Sequence, residues 1–65
     1  MIPIVIATIV FGTQFECIQH LDEEVTYRPK NSRVSGRRMD KAIVSLDGAF
    51  IVLQCKGGTY TANLF

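Results

Sequence analysis

The chain reads as a small all-β domain, either a five- or six-stranded barrel or a curled antiparallel meander. Three observations predict this. The last 25 residues alternate apolar and polar side chains around two tight-turn signals, Asp47-Gly48 and Gly57-Gly58. The first eleven, MIPIVIATIVF, are rich in β-branched residues and carry no charged side chain. Apolar residues make up 48% and charged residues 20% of the whole, a balance that favours a folded domain over disorder. At 65 residues there is room for one domain spanning 1–65. Chains this short bury only about 60% of their unfolded surface, so a lone core is marginal and self-association is expected.

The first element is a strand over residues 2–11, because Ile2, Ile4, Val5, Ile6, Ile9 and Val10 are all β-branched. A secretory signal would need a basic start and a small-residue cleavage site, and a membrane helix roughly 20 apolar residues. The run meets neither requirement, which predicts a cytoplasmic protein with no membrane association. Gly12-Thr13 suits a type II′ turn, from which a second strand returns over residues 14–21. That register sets Val10 against Phe15, Thr8 against Cys17 and Ile4 against Leu21. After the acidic stretch Asp22-Glu23-Glu24, a short third strand around Val25 and Tyr27 ends at Pro29.

The C-terminal region has the strongest signal. KAIVSL, Asp-Gly and AFIVLQC form the pattern of a type I′ hairpin, and Gly57-Gly58 leads into the alternating TYTANLF. The two turns give consistent registers. One face collects Ala42, Val44, Leu46, Ala49, Ile51, Leu53, Cys55, Tyr60, Ala62 and Leu64; the other collects Lys41, Ile43, Ser45, Phe50, Val52, Gln54, Thr59, Thr61, Asn63 and Phe65. A rival exists for the first of these strands. Met39, Ala42, Ile43 and Leu46 fall at i, i+3, i+4 and i+7, which would make 36–46 a short helix and the fold α+β. The adjacent β-branched Ile43 and Val44 and the Asp-Gly turn favour the strand.

Apolar residues on both sides of one pleat predict either an interface or a covered core. Ile43, Phe50, Val52 and Phe65 would form an apolar patch on the outer face, with Phe50, Val52 and Phe65 as its candidate contact residues. In a closed barrel the 28–41 loop would cover Phe50 instead.

The charge is separated. The net charge of +1 conceals a segment, 28–41, that holds Arg28, Lys30, Arg33, Arg37, Arg38 and Lys41 against the single acid Asp40. That segment carries +5 and the rest of the chain −4. Pro29, Asn31, Ser32, Ser35 and Gly36 make it a loop, or a loop leading into a helix. Guanidinium forks match phosphate and carboxylate geometry, so the segment is a candidate grip on a polyanion or on an acidic protein surface. Pairing with Glu16, Asp22, Glu23, Glu24 and Asp47 is the competing use.

Other chemistry has less support. Cys17-x-x-His20 has ligand-like spacing, but a structural zinc wants four ligands and there is no second close pair. On a strand, residues 17 and 20 also face opposite ways, which argues against a Cys–His nucleophile. A Cys17–Cys55 disulfide is geometrically conceivable, since both lie on the core phase; a cytoplasmic setting favours buried thiols. No catalytic group, cofactor or metal is assigned. Tyr27, Phe50 and Phe65 are the aromatics with a chance of stacking on bases. The expectation is a non-enzymatic binding protein that uses the 28–41 segment on nucleic acid or another polyanion. The alternative is a protein-interaction module or compact inhibitor that binds an acidic partner.

Overall fold

The computed structural model describes the backbone of residues 4–64 and the side chains of residues 7–64. Five strands and one helix follow one another as β1 (Ile4–Val10), α1 (Gln14–Thr26), β2 (Ser32–Arg37), β3 (Lys41–Leu46), β4 (Ala49–Lys56) and β5 (Thr59–Leu64). The strands form one antiparallel sheet in the order β1-β5-β4-β3-β2. It is an open meander and not a closed barrel: β1 and β2 lie at its two edges.

Strands β3, β4 and β5 pair in the register that the alternation predicts, with Leu46 opposite Ala49 and Lys56 opposite Thr59. Asp47 and Gly48 have φ of 52° and 80°, and Gly57 and Gly58 have 57° and 81°. Two positive φ values in succession are the mark of a type I′ turn, whose twist matches that of the flanking strands. Gly58 is required twice over, because a Cβ there would also meet the Phe11 carbonyl oxygen at 3.0 Å.

Residues 14–26 form helix α1, not the strand expected over 14–21 or the one around Val25 and Tyr27. Thr13 is the N-cap: its hydroxyl accepts from the Glu16 N–H at 3.1 Å, satisfying an amide that lacks an intrahelical partner. Cys17, Leu21 and Val25 then recur at i, i+4 and i+8 on the face turned to the sheet. At the other end Arg28 donates to the Val25 carbonyl at 3.0 Å and stands in for the basic last turn that the helix lacks. The one helix is therefore at 14–26; residues 36–46 supply the end of β2, a turn and β3.

Segment 28–41 is not a loop throughout, since its centre is strand β2 paired with β3. A turn closed by the Ser32 N–H on the Pro29 carbonyl, with Asn31 at φ 68°, leads from the helix into it. Both edge strands carry a register shift, between Val5 and Ala7 in β1 and between Val34 and Gly36 in β2. Such irregularities bend an edge away from further pairing.

The core lies between α1 and one face of the sheet: Cys17 and Leu21 from the helix against Ala42, Val44, Leu53, Cys55, Tyr60 and Ala62. Cys17 and Cys55, expected as thiols, are joined in a disulfide with Cα atoms 5.9 Å apart. Gln14 ties down the same end, its Oε1 accepting from Gly58 N–H at 2.7 Å and its Nε2 donating to the Cys55 carbonyl at 3.2 Å. Among the described residues, no helix is long and apolar enough to cross a membrane.

Candidate binding surface

Covering one face of the sheet leaves the other open, and the register sorts that open face into rows across the strands. Arg33, Ser45 and Phe50 make the first row; Gly36, Ile43, Val52 and Asn63 the second; Lys41, Gln54, Thr61 and Thr8 the third; Lys56, Thr59 and Val10 the last. Phe50 is 44% exposed although it sits within the sheet, so the 28–41 segment does not cover it.

Ser35, Lys41, Ile43, Phe50 and Val52 line a shallow groove of about 430 Å³ on this face. It continues into a second depression of about 350 Å³, where Lys41 and Ile43 are joined by Gly36, Arg37 and Arg38. A Cβ at Gly36 would lie 3.7 Å from Cδ1 of Ile43, an ordinary contact. Glycine is thus not demanded by crowding there, and its effect is to leave Ile43 uncovered. The apolar patch and the basic segment, separate features in the sequence, adjoin in the fold.

The six basic residues do not act as one group. Arg37 pairs with Asp22 of α1 and donates to the Arg38 carbonyl, and to that of Lys41 at 3.4 Å. Arg28 is engaged with Val25, and with the Ser32 carbonyl at 3.3 Å. These two guanidiniums hold the helix to the sheet and cap it. Lys30, Arg33, Arg38 and Lys41 make no salt bridge among the described residues. Of these four, Arg33 and Lys41 stand on the open face by register and Arg38 in the adjoining turn; Lys56, not singled out in the sequence, joins them in the last row. Val52 is half-buried beside Phe50, Phe65 falls outside the described residues, and Tyr27 is exposed at the end of α1.

The acids Glu16, Asp22, Glu23 and Glu24 all fall on α1. The molecule is therefore polar across its thickness, with an acidic helix on one side and cations around the open strands on the other. In the helix, His20 and Glu24 come together as an i, i+4 pair at 3.3 Å, and His20 stands edge-on to Tyr60 with ring centroids 4.6 Å apart. Burial, with a smaller contribution from the Glu24 charge, pushes the Tyr60 hydroxyl up to about 12. Helix geometry also brings residues 17 and 20 onto neighbouring positions of one face, which a strand would not. Cys17 is already bonded to Cys55, so this makes no Cys–His nucleophile. Among the described residues no three His, Cys, Asp or Glu side chains gather closely enough to hold a metal ion.

No known protein family, characterised protein or solved structure matches this chain.

Proposed function

We propose that the protein is a non-enzymatic binding module whose open sheet face holds a flexible polyanion, single-stranded nucleic acid in the first instance. The observation that carries this reading is the groove around Phe50, Ile43 and Val52, bordered by Lys41 and continuous with the depression at Arg38. A flexible strand needs cations for its phosphates and a flat apolar side chain for its bases, and stacking on an aromatic is worth about 1–3 kcal/mol per base. Arg33, Arg38, Lys41 and Lys56 serve as phosphate donors and Phe50 as the stacking platform; none of them reads sequence. Arg28 supports the scaffold outside the contact, and Arg37, which lines the depression, is held by Asp22.

The same patch favours a second reading, an acidic protein segment seated on Ile43, Phe50 and Val52 with its carboxylates on the same cations. Pairing of two copies through this patch would compete with either ligand. The Cys17–Cys55 disulfide argues for an oxidising compartment over the cytoplasm, because reducing compartments keep thiols free. A sulfated polysaccharide is the polyanion such a compartment would supply in place of nucleic acid.

The test is a fluorescence-anisotropy titration with labelled oligothymidine, repeated with a sulfated polysaccharide and with polyglutamate as competitors. Four engaged cations predict an affinity that falls about fiftyfold between roughly 50 and 200 mM salt. Lys41→Glu should abolish binding, whereas Lys30→Glu should leave it within about threefold. Competition by polyglutamate alone favours the protein-segment reading, and absence of binding at low salt to any of the three rejects the polyanion.

A further inference from the structure

A second concavity lies on the helix side of the sheet, and the binding surface makes no use of it. It is a cleft of about 260 Å³ lined by α1, by strands β1, β5, β4 and β3, and by Pro29. Ala7, Ile51, Leu53 and Ala62 form its apolar floor, and Ile9 stands at its mouth, 40% exposed. The helix wall differs in character. There His20 and Glu24 face the cleft, and Tyr60 meets them from the sheet.

These three groups are not mutually satisfied. The Nε2 atom of His20 is inaccessible to water and has no hydrogen-bond partner; Oε1 of Glu24 is 3.3 Å away but out of alignment. That nitrogen is closed to a ligand as it is to water, which leaves the Glu24 carboxylate and the Tyr60 hydroxyl as the acceptors the cleft can offer. Glu24 has no arginine or lysine within ion-pair distance among the described residues, because Arg37 pairs with Asp22 instead. Its carboxylate is half-exposed at the edge of the apolar cleft.

We propose that this cleft binds a small apolar amine, with its hydrocarbon body on Ala7, Ile51, Leu53 and Ala62 and its ammonium on the Glu24 carboxylate. An ammonium has three N–H donors. The site presents two acceptors, the Glu24 carboxylate and the Tyr60 hydroxyl oxygen. An alcohol supplies only one donor, and a carboxylate is repelled by Glu24. The volume lies below the roughly 300–1,000 Å³ of sites for drug-sized molecules, so the occupant is about the size of a single ring. This site is on the opposite side of the sheet from the polyanion surface and does not depend on that reading.

The experiment titrates the protein at neutral pH with benzylamine, benzyl alcohol and benzoate, following backbone amide shifts by NMR. Benzylamine is expected to move the amides of Ala7, His20, Glu24, Leu53 and Ala62 saturably, and benzoate to move none. Glu24→Gln, at a half-exposed position, should keep the folded spectrum and weaken benzylamine about tenfold or more. Benzyl alcohol binding as tightly as benzylamine to the natural protein would overturn the ammonium, and needs no variant to fold. Absence of a saturable shift with any of the three would overturn the cleft as a site.

Discussion

The two faces of the sheet are drawn from the same three strands, β3, β4 and β5, in opposite phase, yet they meet different fates. Under α1 the residues are mostly small or of moderate size: Ala42, Val44, Cys55 and Ala62, with Leu53 and Tyr60 beside them. On the open side stand Ile43, Phe50 and Val52, large apolar residues set among Ser45, Gln54, Thr61 and Asn63. The covered face is the more continuously apolar, and the open face gathers its apolar residues into one patch. A helix linked to the sheet by a disulfide with a 5.9 Å Cα separation has to approach closely, and Ala42, Cys55 and Ala62 leave it the space. Ile43, Phe50 and Val52 remain on the side that has no helix, next to the cations.

That contrast can be broken from the covered side first. The Cys17–Cys55 bond closes a loop across 38 positions, so Cys17→Ser with Cys55→Ser should cost about 4 kcal/mol, read as a loss in denaturant unfolding. In a domain of this size such a loss amounts to unfolding. Leu21→Ala, at a position with no exposure, should cost about 3 kcal/mol by the same measurement. By comparison Phe50→Ser on the open face should cost less than about 1 kcal/mol while removing most of the oligothymidine affinity. Equal stability losses at residues 21 and 50 would mean that the two faces do not differ as described.

A smaller effect sharpens the same comparison at high pH. Tyr60 is pushed up to about 12 in the folded protein from 10 in the free side chain, so its neutral form is the one that folding favours. The stability tied to this shift is fully present below pH 10 and is lost as the pH rises through 12. Tyr60→Phe should therefore flatten the alkaline decline in melting temperature over that window.

Strands β3 to β5 were legible because alternation and two Gly-containing type I′ turns act within a few residues of each other. Helix α1 was legible in part. Thr13-x-x-Glu16 is an N-terminal helix signature and Cys17, Leu21 and Val25 keep helical spacing, but Gly12-Thr13 after a β-branched run also imitates a hairpin turn. Strand β2, SRVSGR, has one apolar residue and a bulge, so its strand character comes from pairing with β3 and not from its own pattern. The division of the cations was out of reach of the sequence. Arg37 is neutralised because α1 returns Asp22 to its side across 15 positions, and only the tertiary arrangement brings that about. The placement of Phe50 and Lys41 on one face, by contrast, follows directly from the strand period.

The most direct test of the open face as the ligand surface is mapping of side-chain methyl and aromatic shifts by NMR during titration with oligothymidine. The account predicts perturbations at Ile43, Phe50 and Val52, with those of Leu21, Val25 and Leu53 on the helix side unmoved. Perturbations confined to the helix side, or scattered evenly over both faces, would contradict it.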